Sequence, residues 1–268
     1  MVQVQQTQQP QEAGVSYEIA DGVVTLTLAR PEKYNTLTRA VLAGLQIHLD
    51  AIAQSDAARV VIIESQGKAF STGHDLKEMA ANEDKAFYEE LFAECAHMMQ
   101  SIVALPQPVI AKVQGIATAA GCQLVASCDL AIATASARFA TNGIANGLYC
   151  ATPQVALSRV VSRKHALEML LTGDFISAQR AYEIGLVNRV AADGQLDQVA
   201  ADLAQRIASH SQAAMRIGKA SFYRQINQPL DVAYIGTSND LVCNLLTEDG
   251  QEGLDAFINK RKPVWKDK

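Results

Sequence analysis

The chain has 268 residues, of which 49% are hydrophobic, so it can bury a full core without disulfides or metals. Its formal net charge of -5 argues against a nucleic-acid-binding protein, which normally presents a basic surface. The five cysteines are scattered, odd in number and without paired metal-ligand spacing, which predicts reduced thiols in a cytoplasmic protein and no metal site.

Residues 1–14 are rich in glutamine and contain no apolar run. This composition predicts a disordered leader rather than a signal peptide, and it lacks the arginines of a mitochondrial transit peptide. No window of the chain reaches the ~20 uninterrupted apolar residues that would cross a bilayer. We therefore expect a cytoplasmic location and no membrane partner.

A hairpin is predicted after this leader, because residues 15–19 and 23–28 alternate in hydropathy around the turn dipeptide Asp21-Gly22. Helical periodicity follows over residues 39–54. Residues 83–105 also have helical spacing, with a stripe of larger side chains on one face. That stripe is consistent with the lining of an apolar pocket or, as for any buried helix face, with core packing; it consists of Tyr88, Leu91, Phe92, Cys95, Met98 and Met99.

Two short apolar runs, residues 60–63 and 109–113, are typical of buried parallel strands. Each leads into a corner of small residues and then into a helix. The order strand, corner, helix therefore occurs twice without any repetition of sequence.

The first corner has the sequence Phe-Ser-Thr-Gly-His-Asp-Leu-Lys-Glu at residues 70–78. Gly73 permits a tight bend, and Asp75 with Glu78 has the spacing of a helix capping box. The second corner is Ala-Ala-Gly-Cys-Gln-Leu-Val-Ala-Ser-Cys-Asp at residues 119–129. The first amides of a helix lack partners within the helix, so two such corners suggest an oxyanion hole with two donors. Close packing alone also explains small residues at a helix start.

The last third of the chain is predicted to be mainly helical. Residues 177–185 have helical spacing with a glycine stop, residues 186–190 resemble an edge strand, and helical spacing continues from Leu196 onward. We divide the chain into a core at residues 15–195 and a helical region at residues 196–268.

Residues 69–78 followed by Val-Gln-Gly-Ile-Ala-Thr-Ala-Ala-Gly-Cys-Gln at residues 113–123 resemble the crotonase (enoyl-CoA hydratase/isomerase) superfamily. Residues 30–35, 128–130, 185–187 and 250–265 are also similar to that family. The resemblance implies an α/β fold of the ClpP/crotonase type, a spiral of beta-beta-alpha units with a C-terminal helical oligomerisation module. It also implies a homotrimer or a dimer of trimers.

The resemblance further implies that the backbone amides of His74 and Ala120 hold the thioester carbonyl of an acyl-CoA or enoyl-CoA and stabilise the enolate. No separate cofactor is expected, since coenzyme A is carried by the substrate. Lys77, Cys150, Lys260 and Lys262 are expected to bind the substrate. The two C-terminal lysines are equally consistent with a solvated tail, and Cys150 with a small buried residue.

The departures from the family concern acid–base chemistry. Hydratases of this family have glutamates at the positions of Gln123 and Gly143. The further acidic position that dienoyl-CoA isomerases and some dehalogenases use falls near Ala151, which is also not acidic. An amide cannot accept the proton from water near neutral pH, so efficient two-glutamate hydration is not expected. Candidate replacements are His74, Thr141, Asn142, Asn146, Tyr149 and Cys150. For His74, a packing ring whose backbone alone matters is the competing interpretation.

Two functional classes follow from these residues. One is an enzyme that forms a thioester enolate, and the other is a CoA-thioester-binding or regulatory protein without chemistry. Thioester hydrolysis and slow hydration with water held by Gln123 are further reactions of the first class. A purely structural assembly factor would have no affinity for CoA thioesters. Asp75 is expected to cap a helix, and Asp129 to anchor the start of a strand through a turn hydrogen bond.

Overall fold

The computed structural model describes residues 14–268, so residues 1–13 of the predicted leader lie outside the described part of the chain. The strands are β1 (Val15–Ala20), β2 (Val23–Leu28), β3 (Val60–Ser65), β4 (Ala69–Ser71), β5 (Val109–Val113), β6 (Ile116–Thr118), β7 (Leu130–Thr134), β8 (Arg138–Ala140), β9 (Ile176–Ser177) and β10 (Arg189–Ala191). The helices are α1 (Arg39–Ala53), α2 (Leu76–Ala81), α3 (Lys85–Ala104), α4 (Ala120–Ser127), α5 (Pro153–Val160), α6 (Arg163–Thr172), α7 (Ala178–Glu183), α8 (Leu196–Ala208), α9 (Gln212–Gln225), α10 (Leu230–Leu245) and α11 (Glu248–Ile258). Two short 3-10 helices, Pro31–Lys33 and Asn142–Asn146, complete the described elements.

Six strands form the larger sheet in the order β1-β2-β3-β5-β7-β10. The predicted hairpin is confirmed, since β1 and β2 pair antiparallel and their turn residues Asp21 and Gly22 have φ values of 50° and 79°. The other pairings in this sheet are parallel. The predicted edge strand is also found at the edge of the sheet, slightly later in the chain, as β10.

A smaller sheet has the order β4-β6-β8-β9. Three times along the chain, a strand of the larger sheet is followed directly by a strand of the smaller one: β3 by β4, β5 by β6 and β7 by β8. Helical structure follows each pair, which produces the expected spiral of beta-beta-alpha turns. The sequence revealed only two of these turns because β4, β6 and β8 are three residues long and carry no readable alternation.

The core lies on both faces of the larger sheet. Leu91, Cys95, Met98 and Met99 of α3 are buried in the main cluster, so the core interpretation holds for most of the predicted stripe. On the opposite face, α8 covers Val60, Ile62, Ile110 and Ile132. The sheet is therefore buried on both sides, as its continuous apolar strands predict.

The C-terminal helices α9 to α11 confirm the predicted helical region. Several large apolar side chains there are exposed, among them Leu230, Tyr234, Ile235, Leu246 and Phe257, the last at 83%. An apolar surface of this kind is typical of an interface. The predicted boundary at residue 195 and the predicted trimer stay predictions. None of the helices within residues 14–268 is long and apolar enough to cross a membrane.

Asp129 connects the C-terminal helices to the larger sheet. The predicted hydrogen bond within a local turn is replaced by contacts with residues far away in the chain. The Asp129 carboxylate accepts hydrogen bonds from Val109 N at 2.7 Å, Lys219 Nζ at 2.6 Å and Tyr223 Oη at 2.8 Å. Lys219 Nζ also donates to the Ile102 and Gln107 carbonyls. The start of β5 and one face of α9 therefore depend on one nearly buried ion pair.

We expect Lys219→Met to lower the free energy of unfolding by about 3–5 kcal/mol, because Asp129 then keeps a buried charge without its counter-ion. Urea denaturation at one fixed protein concentration measures this loss. The matched control is Lys85→Met on the exposed start of α3, where the change should stay within about 0.5 kcal/mol. A loss below about 1 kcal/mol for Lys219→Met would contradict the role given to this pair.

Candidate functional site

The first corner connects β4 to α2 through Thr72, Gly73 and His74. Asp75 caps α2 as predicted, because its carboxylate accepts hydrogen bonds from Lys77 N at 2.9 Å and Glu78 N at 3.2 Å. The reciprocal half of the predicted capping box is absent. Glu78 instead accepts a hydrogen bond from Arg39 N at the start of α1. Thus α2 is fixed to α1 as well as capped.

The negatively charged carboxylate of Asp75 is held by the hydrogen bonds of this cap. Burial alone would raise the pKa of Asp75, but hydrogen bonds from Glu78 N, Lys77 N and Thr36 together lower it, with a smaller contribution from Arg30. The carboxylate therefore stays ionised at neutral pH. It lies on the cavity wall but is not free to donate a proton.

The second corner connects β6 to α4. Ala119 has φ 49° and ψ -120°, a conformation that side-chain-bearing residues rarely adopt, and its amide donates to Ala140 O at 3.0 Å. This bend makes Ala120 the first residue of α4, a helix that is buried along its whole length. Strained backbone of this kind persists only where the surroundings hold it in place.

The two corners touch each other through glycines. A Cβ atom on Gly73, whose φ is +84°, would lie 2.9 Å from both Ala119 Cβ and Ala120 N. A Cβ atom on Gly121 would lie 2.2 Å from Ser71 O. Neither position has room for a side chain, so the closeness of the two helix starts depends on both glycines.

This contact brings two free amides together. Neither His74 N nor Ala120 N donates a hydrogen bond to any atom within residues 14–268. Both residues line the same cavity, which has a volume of about 970 Å³. Two unpaired donors at the wall of a cavity can stabilise a negatively charged oxygen placed between them.

The turn at residues 30–35 supports the first corner. Asn35 has φ 52°, is buried, and its side-chain amide donates to the carbonyls of Gln66 and Ala69, both at 2.8 Å. The Asn35 carbonyl accepts a hydrogen bond from Ser71 Oγ at 2.8 Å. In the sequence this turn is visible only through its similarity to the family, although in the structure it also places Lys33 and Tyr34 on the cavity wall.

The ring of His74 has a defined orientation. Its Nδ1 lies 3.2 Å from Leu37 O, and the edge of the ring meets Phe92 at 5.4 Å between centroids. Because Leu37 O can only accept, Nδ1 carries the proton and Nε2 the lone pair. Nε2 is buried and has no hydrogen-bond partner within the described residues. Burial lowers the pKa of His74, partly offset by the Leu37 carbonyl, so the ring is neutral at pH 7.

Gln123 lies on α4 and is almost fully buried. Its Oε1 has no hydrogen-bond partner within the described residues, and the same holds for Oγ1 of the fully buried Thr141. Unpaired buried acceptors are costly, so a bound water or ligand group would be stabilised there. Neither residue lies on the cavity wall itself.

Gly143 cannot carry a side chain. A Cβ atom there would lie 2.4 Å from Leu148 O and 3.0 Å from Cys150 Sγ. The Gly143 carbonyl in turn accepts a hydrogen bond from Leu148 N, which closes the loop tightly. The loop thus leaves no space for a glutamate at this position.

The cysteines near the cavity are protonated thiols. Burial raises the pKa of Cys150, although the Gly143 amide opposes the shift. Burial, with Cys150 nearby, raises the pKa of Cys122 to about 12. A thiol in this state is a weak nucleophile, which supports the structural interpretation of Cys150.

Most of the predicted site residues meet in this one cavity. Those on its wall are His74, Lys77, Ala120, Asn142, Gly143, Asn146, Tyr149, Cys150 and Ala151. Lys260 and Lys262 are exposed and lie outside it in the single chain. Phe92 is the member of the predicted stripe that reaches the wall. No cluster of three or more metal-ligating side chains occurs in the part of the chain that the structure describes.

Known proteins are similar to this chain in both sequence and fold. A sequence profile described as enoyl-CoA hydratase/isomerase matches residues 18–268. The human enoyl-CoA hydratase domain-containing protein 3, mitochondrial, is 47% identical over 245 residues, which cover 91% of this chain and 81% of that protein. The 2,3-dehydroadipyl-CoA hydratase of Escherichia coli strain K12 is 34% identical over 246 residues, covering 91% of this chain and 95% of the relative.

A crystal structure of an enoyl-CoA hydratase from Mycobacterium smegmatis superposes with a TM-score of 0.93 at 49% identity, covering 95% of this chain and 99% of that one. This agreement confirms the predicted crotonase-like α/β fold. With a family profile that spans nearly the whole chain and relatives well above 30% identity, the resemblance stated from the sequence is confirmed. The chain belongs to the enoyl-CoA hydratase/isomerase family.

Proposed function

We propose that this family member binds an acyl-CoA or enoyl-CoA with its thioester carbonyl between His74 N and Ala120 N, and stabilises the enolate of that thioester. The observation that carries the proposal is the contact between the two corners, which leaves both amides unpaired on one cavity wall. Each such donor contributes about 3 kcal/mol to a transition state that carries negative charge on oxygen.

Substrate binding needs both an apolar pocket and a basic rim. Phe92, Met79 and Phe175 supply apolar wall for an acyl chain, while Lys33 and Lys77 lie on the wall and suit the phosphates of coenzyme A. Lys260 and Lys262 are assigned to the same role from a neighbouring subunit. Coenzyme A would arrive with the substrate, and no other cofactor is proposed.

The oligomer proposed here is a homotrimer or a dimer of trimers. The exposed apolar side chains on α10 and α11 support it, because a second copy would remove them from water. The cytoplasmic location predicted from composition stays a prediction; the word mitochondrial in the human relative's name concerns that protein.

Efficient hydration by two glutamates is not part of this proposal. The amide of Gln123 cannot take a proton from water at neutral pH, and Gly143 has no side chain. Chemistry at the α-carbon, such as double-bond isomerisation, needs only one proton carrier beside the oxyanion hole. Slow hydration with Gln123 positioning a water, and thioester hydrolysis, remain alternatives within the same proposal.

A CoA-thioester-binding protein without catalysis is the second candidate. The observation that favours it is the crowding at Gly143, where Leu148 O leaves no space for a second carboxylate. Such a protein would keep the oxyanion hole only to hold the thioester.

A mass-spectrometric time course separates the two candidates. We expect wild-type protein to convert at least one of crotonyl-CoA, a longer 2-enoyl-CoA, a 3-enoyl-CoA and a saturated acyl-CoA, with the product mass or retention time defining the reaction. Binding of these thioesters without any turnover would overturn the enzymatic proposal in favour of the binding protein. Absence of both binding and turnover would reject both.

Gly121→Ala should separate the two corners, because its methyl group meets Ser71 O. We expect turnover to fall by about 10²–10³-fold, the effect of losing one oxyanion donor. Gly218→Ala is the matched control, since a Cβ atom there meets nothing within 4 Å, and its turnover should equal that of wild type. Circular dichroism checks that both variants fold. Unchanged turnover in folded Gly121→Ala would contradict the proposed oxyanion hole.

Gln123→Glu places a carboxylate of nearly the same shape where the buried Gln123 side chain lies. We expect hydration of crotonyl-CoA to rise by at least about 10-fold, since a positioned base is worth about 10²–10⁴ and only one of two is restored. Gln205→Glu, at an exposed position of α8, is the control and should leave the hydration rate unchanged. Gly143→Glu should lower the melting temperature without adding hydration. A hydration rate that Gln123→Glu leaves unchanged would show that this side chain does not reach the substrate water.

A further inference from the structure

Tyr34 is a large aromatic residue on the cavity wall whose side chain takes no part in holding the fold together. It is 58% exposed and packs against neither hydrophobic cluster. Its backbone groups are both bonded, since Tyr34 N donates to Pro31 O at 3.1 Å and Tyr34 O accepts from Thr72 N at 3.2 Å. The exposed surface therefore belongs mainly to the ring. Within residues 14–268, the Tyr34 hydroxyl has no hydrogen-bond partner and the ring contacts no other ring.

The backbone of Tyr34 has a conformation that bulky residues rarely adopt. Its φ is 50° and its ψ is 32°, and Asn35 follows with φ 52°. Asparagine enters this left-handed region readily, whereas a bulky side chain there is an outlier. The side-chain hydrogen bonds of the turn come from Asn35, which accepts from Arg30 N at 2.9 Å and donates to Gln66 O and Ala69 O. The turn is held without the ring, so the strain at Tyr34 points to a use for its side chain.

Two cations lie on the same cavity wall as the ring. Lys33 directly precedes Tyr34, and Lys77 is the second residue of α2. Neither lysine forms an ion pair within the part of the chain that the structure describes. The bond between Tyr34 O and Thr72 N joins the turn to the corner that leads into α2. An exposed aromatic face accompanied by unpaired cations suits a nucleotide, because the ring stacks on a base while the cations attract phosphates.

We propose that the Tyr34 ring stacks on the adenine base of coenzyme A and thereby selects complete CoA thioesters over shorter pantetheine thioesters. This inference rests on the proposed binding of an acyl-CoA, in which Lys33 and Lys77 meet the phosphates. Stacking needs only an exposed aromatic face, so it explains why the hydroxyl of Tyr34 has no partner. The hydrogen-bonded turn fixes the backbone that carries the ring, which lowers the entropic cost of ordering the base.

Isothermal titration calorimetry with two thioesters tests this contact. Butyryl-CoA carries the adenosine, whereas S-butyryl-4′-phosphopantetheine keeps the acyl group, the pantetheine arm and one phosphate but lacks the base. Tyr34→Asn removes the ring and suits the left-handed backbone, so the turn should be retained. We expect Tyr34→Asn to weaken butyryl-CoA binding by at least about 10-fold, and binding of the phosphopantetheine thioester by less than about 2-fold.

Two further variants and a matched control complete the experiment. Tyr34→Phe and Tyr34→Trp keep an aromatic face and should retain the affinity of wild type for butyryl-CoA. Tyr182→Asn removes an exposed ring on α7, outside the cavity wall, and should bind both thioesters as wild type does.

Equal losses for both thioesters in Tyr34→Asn would show that the ring supports the corner or the pantetheine arm, and would overturn the inference. Unchanged butyryl-CoA binding in Tyr34→Asn would overturn it as well and leave the proposed function standing. A changed oligomer mass in sedimentation of Tyr34→Asn would assign the ring to a subunit contact instead of a base. Wild type that binds neither thioester would reject the proposed function itself.

Discussion

The close approach of two strand-to-helix corners is the constraint on which this site depends. A Cβ atom on Gly73 would clash with Ala119 and Ala120, and one on Gly121 would clash with Ser71 O, so both positions require glycine. The parallel strands β4 and β6 bring the corners side by side, and the contact fixes where their free amides lie. The strained backbone of Ala119 is tolerated because the buried helix α4 and the bond to Ala140 O hold it.

The proposed function separates two tasks: stabilising negative charge on the thioester oxygen and transferring protons. In the proposed function, backbone amides stabilise charge on the thioester oxygen, and that task would survive almost any side-chain change that keeps the corner glycines. Proton transfer needs particular side chains, and here Gln123 and Gly143 cannot perform it. The loop conformation itself excludes a carboxylate at Gly143, because Leu148 O occupies the space that a Cβ atom would need. Chemistry at the α-carbon, as proposed above, does not require a carboxylate at position 143.

The rest of the fold serves to keep the corners rigid. The larger sheet is covered by α8 on one face and by the main core, including α3, on the other. Asp129 and Lys219 connect the start of β5, and so the strand that leads to the second corner, to the C-terminal helices. Asn35 ties the turn before α1 to the first corner. A site built from backbone groups requires this support, since no flexible side chain can compensate for a misplaced amide.

The sequence by itself determined the family, the hairpin, the long helices and the residues that form both corners, because periodicity and local turn chemistry are properties of neighbouring residues. It did not reveal the three-residue strands of the smaller sheet, or that Lys33 and Tyr34 line the cavity. It also did not reveal that Glu78 accepts a hydrogen bond from Arg39 N instead of completing the capping box. Only the tertiary structure decided that Gly143 must be glycine, that Asp129 bonds to α9, and that His74 leaves Nε2 unpaired. Those facts concern atoms far apart in the chain, whose distances no local pattern encodes.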